Sequence, residues 1–284
     1  MRGLGTVAGY ALRESLRRRV LTVVCLLTAV FLGLYAWGTS AVFDEVAPPA
    51  GGLIALDVQV LTGATLLGMA MFVTLFLGVV LAVFLTLGAV RGDAERGLLQ
   101  PLVVRPVGRR TLLCGRFAAS AGVCALYVVA VYTGAVLITG LVGGFWPGSV
   151  VLPAIGLAGA VTIVVALALL GTTVLGTTAN GIAVFMLFGA GLTVGLLGQI
   201  GGALSSPTLT DVSQVAVWAL PFEALYQDAL YALTADIGGV TGVVVQLGPL
   251  GGAVNASAPL WVWAGLYALG AALLAVRAFD RADL

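Results

Sequence analysis

Charged side chains are scarce in this 284-residue chain, and two residue types are missing altogether. Only 9% of the residues are charged and 61% are hydrophobic, whereas soluble domains average roughly 25% and 45–50%. The 13 basic residues are all arginines, because the chain contains neither lysine nor histidine. The lack of lysine excludes the usual phosphate-binding P-loop and Schiff-base chemistry. The lack of histidine excludes histidine-based triads and imidazole metal sites.

Cysteine is also too sparse to organise a fold or a metal site. The three cysteines, Cys25, Cys114 and Cys124, are too few and too scattered for a disulfide framework or a thiolate zinc site. So many apolar residues with so few charges are typical of an integral membrane protein. We therefore expect an all-α integral membrane protein.

Long tracts without a charged residue predict six membrane-spanning helices. A helix needs about 20 residues to cross a bilayer, and long charge-free tracts begin at Val20, Val58 and Phe117. The third tract contains two turn-like segments, 143–148 and 176–181, and so accommodates three spans. A last apolar run near the C-terminus supplies the sixth. Within a single transmembrane domain (residues 1–284), the predicted spans are residues 20–38, 61–90, 117–142, 150–175, 182–202 and 260–277.

With six spans, all of the arginines fall on one side of the membrane. They occur before the first span, between the second and third, and after the sixth, whereas most of the acidic residues fall on the other side. Basic residues concentrate in cytoplasmic loops. We therefore expect a multi-pass protein of the cytoplasmic (inner) membrane with both termini in the cytoplasm. A different number of spans would put arginines on both sides.

Residues 6–19 predict an amphipathic elbow helix ahead of the first span. Ala8, Leu12 and Leu16 recur at four-residue intervals, and arginines occupy the other faces. Such a helix would lie at the cytoplasmic interface with its arginines toward anionic lipid; the alternative is an ordinary positively charged flank. Arg17–Arg19 before an apolar run also resembles a secretory signal. The run is longer than the 7–15 residues of a cleavable signal, so we expect a retained first span.

The predicted cytoplasmic loop, residues 91–116, combines an acidic start with a short apolar face. Asp93 and Glu95 suit the first turn of a short helix, where the helix dipole favours anions. The residues of the apolar face are Leu98, Leu99, Leu102 and Val103. An exposed apolar face of this kind either docks into a soluble partner or packs against the protein's own membrane surface. The pattern leaves both alternatives open.

A second amphipathic helix is predicted in the extracytoplasmic segment 203–258. Pro221 suits the first position of a helix. Glu223, Gln227 and Asp228 fall off the apolar stripe that follows it. The stripe consists of Phe222, Leu225, Tyr226, Ala229, Leu230 and Leu233. We expect a simple interfacial helix on the outer membrane surface. The alternative is an outer gate over a pathway between spans, formed by Pro221, Phe222, Glu223, Leu225, Tyr226 and Leu230.

The predicted spans contain almost no ionisable group. Ion-coupled transport needs an intramembrane counter-charge, and intramembrane catalysis needs paired acids or a metal motif. We therefore expect no catalytic residues and no metal site, and energy for moving a solute would come from another polypeptide. Span 5 is instead rich in glycine, with two small-xxx-small motifs: Gly191 with Gly195, and Gly198 with Gly202. Such motifs serve packing within one chain, an interface between subunits or a mobile helix that lines a pathway.

Taken together, these features resemble a permease subunit of the type-2 class of ATP-binding-cassette transporters, in the branch described as multi-copper-enzyme-maturation permeases. The most specific piece runs from Asp93-Ala-Glu95-Arg96-Gly97-Leu98-Leu99 through Arg105-Pro106-Val107-Gly108-Arg109 to Leu113-Cys114-Gly115-Arg116-Phe117. The segment Pro221–Tyr226 also fits the branch. Leu98, Gly108 and Arg116 stand where the family commonly has Thr, Ser and Lys, and these departures preserve charge and turn character.

The resemblance implies a transporter of two membrane subunits and two cytoplasmic ATPase subunits. It makes the loop a coupling helix that docks on the ATPase, with Asp93, Glu95, Arg96, Gly97, Leu98, Leu99, Leu102, Val103 and Arg105 as the candidate docking residues. This chain would hold no cofactor, because ATP and magnesium would bind in the partner ATPase. The expected partners are that ATPase, a second permease copy (identical or related) and membrane lipid, and no nucleic acid.

Three functions are compatible with this sequence. The first is an exporter permease driven by a separate ATPase. The second is a mechanotransmitting or scaffold subunit that drives an outer accessory protein through residues 203–258 without moving a solute. The third, a channel or secondary transporter, is disfavoured by the scarcity of ionisable groups in the spans.

Overall fold

The chain folds as a bundle of long helices. The computed structural model describes residues 19–45, 58–87, 109–235, 237 and 257–281, which form eight helices and no strand. They are α1 (Arg19–Glu45), α2 (Val58–Thr86), α3 (Arg109–Gly143), α4 (Val151–Val174), α5 (Thr177–Ala203), α6 (Pro207–Ala219), α7 (Pro221–Thr234) and α8 (Ala258–Arg281). All except α6 and α7 are long and apolar enough to cross a membrane. The all-α class and the number of candidate spans are thereby confirmed.

The third span begins earlier than expected, and this corrects the predicted loop 91–116. Its helix, α3, starts at Arg109, so residues 109–116 extend the span instead of belonging to the loop. Two contacts with the end of α8 stabilise this extra length. Arg110 Nε donates to Asp280 Oδ2 at 2.7 Å, and Leu113 is buried in a small cluster that includes Phe279.

Helix α2 lies at the centre of the bundle and is the most buried of the long helices. It packs against α1, α3 and α4 and also contacts α5 and α7. Leu67, Met71 and Leu75 are fully buried along it. At Gly78 an added Cβ would lie 2.5 Å from a methyl group of Val128 in α3, so the absence of a side chain allows the two helices to approach closely.

Helix α1 is peripheral and is held against α3 by two side-chain hydrogen bonds. The hydroxyl groups of Thr28 and Tyr127 are 2.5 Å apart, and those of Tyr35 and Thr139 are 2.6 Å apart. The second pair lies further along both helices than the first pair does, so α1 and α3 run parallel. Buried hydroxyls paired in this way avoid the cost of an unsatisfied polar group in an apolar environment.

The two ends of the bundle differ in charge. At one end, called the arginine end below, α1 begins at Arg19, α3 begins at Arg109 and α8 finishes at Arg281. At the opposite end α1 finishes at Glu45, and a tight turn follows α3, where Gly144 adopts a φ of +69° that favours glycine. Among the described helices, arginines therefore lie at one end of the bundle, where Asp280 is also found, and Asp44 and Glu45 lie at the other. The predicted elbow (residues 6–18) and the coupling segment (residues 93–105) lie outside the described residues.

Candidate functional site: the α6–α7 hairpin

Helices α6 and α7 form a hairpin that re-enters the bundle. Helix α6 turns back along α5: Leu209 contacts the position of Gly201, and Ser213 contacts that of Gly198. Residues further along α6 therefore contact residues earlier in α5, so the two helices are antiparallel. The side chains of α6 are largely exposed, and Ser213 is its buried residue. Helix α6 therefore forms the outer arm of the hairpin.

The tip of the hairpin lies at Leu220, between the two helices. Leu220 N–H donates to Ala216 C=O at 2.9 Å and closes the last turn of α6. The Leu220 carbonyl then accepts from Glu223 N–H at 3.1 Å and opens α7. Pro221 occupies the first position of α7, where its missing N–H would have no helical partner in any case. The chain therefore reverses direction at Leu220, and a new helix begins at the next residue.

Helix α7 runs parallel to α5 and starts deep inside the bundle. An added Cβ at Gly191 would overlap the Phe222 ring, and one at Gly195 would overlap Glu223 Oε1. Gly191 precedes the end of α5 at Ala203 by twelve residues, which is about 18 Å at 1.5 Å per residue. The hairpin tip thus reaches roughly the middle of α5.

All faces of α7 are buried, so the expectation of an interfacial helix is wrong. Its apolar stripe packs toward the interior as predicted, and Leu225 and Ala229 contact α4 at Gly156. The polar residues that were expected to face solvent are also buried: Glu223 is 1% exposed, Gln227 8% and Asp228 3%. The amphipathic pattern is present, but the polar side of the helix meets α5 and α8 instead of water.

The gate candidates lie together on this helix. Pro221, Phe222, Glu223, Leu225, Tyr226 and Leu230 are all buried. The Phe222 ring stacks on Phe188 of α5 at a centroid separation of 6.1 Å, and Phe188 in turn lies 6.2 Å from the Phe76 ring of α2. The start of α7 is therefore joined to two candidate spans by a row of aromatic rings. Whether these residues form a gate stays a prediction.

Three of the four candidate interface glycines of α5 pack against the hairpin of the same chain. Gly191 and Gly195 face α7, and an added Cβ at Gly198 would lie 3.1 Å from Ser213 Oγ of α6. The fourth candidate, Gly202, lies among side-chain positions that the structure does not describe. Of the three roles left open by the sequence, packing within one chain is the one for which the described residues supply contacts.

Glu223 is the most unusual residue of the site. Its Oε1 accepts from Gln227 Nε2 at 2.8 Å. Its other oxygen, Oε2, and Gln227 Oε1 are buried and lack a hydrogen-bond partner among the described residues. Burial raises the pKa of the Glu223 carboxyl from 4.5 to about 7, although the hydrogen bond from Gln227 opposes the shift.

Two electrostatic effects shift the pKa of Glu223 in opposite directions. The residue lies in the first turn of α7, where the helix dipole stabilises a negative charge by about 0.3–1 kcal/mol and by up to ~2 kcal/mol when partly buried. Removing a carboxylate from water costs several kcal/mol in real proteins. The desolvation cost is the larger effect, so the net shift of the Glu223 pKa is upward.

The second buried carboxyl of α7 has a different environment. Asp228 Oδ2 accepts from Trp261 Nε1 of α8 at 3.0 Å. Two residues further along α8, Trp263 Nε1 donates to the Trp218 carbonyl of α6 at 2.8 Å. The start of α8 is therefore hydrogen-bonded to both arms of the hairpin.

The presence of Glu223 and Asp228 inside the bundle corrects a sequence-based exclusion. Both residues were assigned to the extracytoplasmic segment, and the interior was expected to contain almost no ionisable group. Because the hairpin re-enters the bundle, it carries two carboxyls inward, and the exclusion of ion-linked transport no longer follows. Among the described residues there is no group of three His, Cys, Asp or Glu side chains that could hold a metal ion.

Sequence reasoning missed three members of this site: Gln227, Asp228 and Trp261. Glu223 and Gln227 are four residues apart, the spacing that brings two side chains together on a helix, and this was the available signal. Nothing in the local sequence indicated that Trp261 contacts Asp228, which lies 33 residues away.

Comparison with known proteins does not identify a family. No protein-family model matches the chain. No curated protein matches it either.

Proposed function

We propose that this chain is the membrane-spanning permease subunit of an ATP-binding-cassette transporter, acting as an exporter in the cytoplasmic membrane. A separate cytoplasmic ATPase supplies the energy and holds ATP and magnesium. A second permease copy completes the membrane part of the assembly. Both termini lie in the cytoplasm.

The observation that carries this proposal is the segment from Asp93 to Arg105 between α2 and α3. Its acidic start, apolar face and Arg-Pro-Val sequence resemble the coupling region of this class of permeases. The ends of α2 and α3 on either side of this segment support the assignment. Helix α2 finishes at Thr86 and α3 begins at Arg109, at the end of the bundle where α8 finishes at Arg281. The arginine content of this end favours a cytoplasmic location.

The α6–α7 hairpin supports transport because it connects the inside of the bundle with its surface. Helix α7 is buried in the bundle, whereas the side chains of α6 are largely exposed. The inner arm of the hairpin contacts α2, α4, α5 and α8. A displacement of α5 relative to α4 would therefore act directly on α7, because Gly195 and Gly156 contact opposite sides of this helix. In this proposal a motion that begins at the coupling segment reaches the hairpin through α2, which contacts α7, and through α3 by way of α4.

The proposal predicts that a reading frame adjoining this one encodes a P-loop ATPase, and reconstitution with that ATPase tests the coupling assignment. We expect the chain in lipid nanodiscs to stimulate ATP hydrolysis by that ATPase. Replacing Leu98 and Leu102 by serine removes the apolar docking face, and the stimulation should be lost. Gln100→Ser lies off this face and serves as the matched control, with stimulation retained.

Two results would contradict the proposal. The first is an ATPase whose turnover and binding are the same with the wild-type and the doubly substituted loop. The second is solute flux through liposomes that contain this chain alone, which would favour a channel or a secondary transporter. Coupled ATP hydrolysis that powers an outer accessory protein without solute flux would instead support the mechanotransmitting alternative.

A further inference from the structure

One oxygen of Glu223 and one oxygen of Gln227 are buried without a hydrogen-bond donor among the described residues. Both side chains are more than nine-tenths buried, and they lie against Gly195, where an added Cβ would be 2.8 Å from Gln227 Nε2. This close contact leaves no room for a bulky ligand between α7 and α5. A proton is the ligand that this geometry accommodates.

We propose that Glu223 is a proton-binding site and that the bound proton stabilises the contact between α7 and α5. The contact is closed while the carboxyl is protonated, and it opens when the proton is lost. Ionisation leaves a negative charge on a buried carboxyl with a single hydrogen-bond donor, Gln227 Nε2. That charge is solvated only if water reaches it, and water reaches it only if the hairpin moves away from Gly195.

The titratable groups near Glu223 come almost entirely from α7 itself. The sequences of α2, α4 and α5 contain no Asp, Glu, Arg, Tyr or Cys. Helix α6 contributes Asp211, which is exposed. The titratable residues of α8 are Tyr267 in its first half and Arg277, Asp280 and Arg281 near its C-terminal end. On α7, Tyr226 and Tyr231 are present, and Asp228 accepts a hydrogen bond from Trp261 on the α8 side. Glu223 is thus the carboxyl that faces α5.

The protonation state can be measured directly by infrared difference spectroscopy of the protein in lipid. We expect the carbonyl stretch of a protonated carboxylic acid at acidic pH and its loss as the pH rises through neutrality. The Glu223→Gln variant should lack this band. Asp228→Asn, which removes the other buried carboxyl of α7, should retain it. A wild-type spectrum without any acid band that depends on Glu223 would overturn the proposal.

Movement of the hairpin can be measured by electron paramagnetic resonance between two spin labels. Val215 of α6 and Met186 of α5 are both exposed, and they can be replaced by cysteine after the three native cysteines are removed. We expect the distance between the labels to increase or broaden as the pH rises through neutrality. In the Glu223→Gln background the distance should stay the same at every pH. A carboxyl that titrates while this distance stays constant in the wild type would also overturn the proposal.

Glu223→Asp keeps the test decisive if Glu223→Gln fails to fold. The aspartate retains a carboxyl but shortens the side chain by one methylene, so its hydrogen bond with Gln227 changes. We expect the acid band to shift in frequency and in apparent pKa. An unshifted band would show that the titrating carboxyl is not Glu223.

Discussion

At the scale of single residues, the environment of each carboxyl determines its chemistry. Glu223 and Asp228 are five residues apart on α7 and are both buried, yet they face different helices. Glu223 meets a glycine of α5 and has Gln227 as its donor, whereas Asp228 meets the indole N–H of Trp261. Burial therefore raises the pKa of Glu223 to about 7, so this carboxyl keeps its proton to a higher pH than an ordinary glutamate does.

This raised pKa predicts a pH-dependent stability that Glu223→Gln removes. The folded protein binds the proton more tightly than the unfolded chain does, so the full contribution of Glu223 is present below pH 4.5. It is lost as the pH rises to about 7, since the unfolded chain then loses its proton first. The loss is at most about 3–4 kcal/mol, since the pKa difference between 4.5 and about 7 corresponds to roughly 1.4 kcal/mol per pKa unit.

The measurement is the thermal unfolding midpoint of the protein in detergent, taken about every half unit of pH between about pH 4 and pH 8. The midpoint of the wild type, relative to that of Glu223→Gln, should fall across this range. A difference between the two proteins that does not vary with pH would show that Glu223 has an ordinary pKa.

At the scale of helices, the sequence predicted α7 as an element but not its surroundings. The spacing of Phe222, Leu225 and Tyr226 correctly indicated a helix starting at Pro221. Periodicity identifies which side of a helix is apolar, but it does not identify what lies against the polar side. That side is covered by Gly195 and Trp261, whose contacts with α7 form only in the folded chain. A polar side is therefore not by itself evidence of contact with water.

Replacing Gly195 by alanine should separate the hairpin from α5. The new Cβ would overlap Glu223 Oε1 and lie 2.8 Å from Gln227 Nε2. Overpacking of this kind costs about 1–3 kcal/mol, which exceeds the gain of about 1 kcal/mol in helix propensity. We expect a lower unfolding midpoint and greater hydrogen exchange in α7.

Gly189→Ala is the matched control for this substitution. It lies on the same helix, six residues earlier, and an added Cβ there has no neighbour within 4 Å among the described atoms. The control should be neutral or slightly stabilising. Equal effects of the two substitutions would argue against close contact between α5 and α7.

Two tryptophans at the start of α8 should differ in importance. Trp261→Phe removes a donor from the buried Asp228, and losing the partner of a buried polar group costs about 1–3 kcal/mol. Trp263→Phe removes a more exposed hydrogen bond to the Trp218 carbonyl, which contributes about 0.5–1.5 kcal/mol. Denaturation in mixed detergent should therefore rank Trp261→Phe as the more destabilising change. The reverse order would show that the hydrogen bond of Trp263 to α6 contributes more to stability than that of Trp261 to α7.

At the scale of the whole molecule, the sequence predicted the number of long apolar helices because absence of charge over about 20 residues is a strong constraint. It placed the start of α3 eight residues too late, since hydropathy does not register that Arg110 can pair with Asp280. It also placed α6 and α7 outside the bundle. Short helices that re-enter a bundle have the same composition as surface helices, so only tertiary contacts distinguish them.

The proposed orientation predicts which loops react from each side of the membrane. In a cysteine-free background, Gly148→Cys should react with an impermeant maleimide added outside, because the loop after α3 lies away from the arginine end. Ala179→Cys, at the start of α5, should react only after the membrane is permeabilised. Both positions are exposed. The opposite pattern would reverse the orientation and move residues 88–108 away from any cytoplasmic ATPase.

The most direct test of the central claim is site-specific photocrosslinking from the segment between α2 and α3, in membranes that contain the ATPase that the proposal predicts. A photoreactive residue at Leu99 should crosslink to that ATPase, and the yield should change when ATP is bound. The same residue at Gly148, at the opposite end of the bundle, should give no such product. Efficient incorporation at Leu99 without any crosslink to the ATPase would contradict the assignment of this chain as a permease subunit.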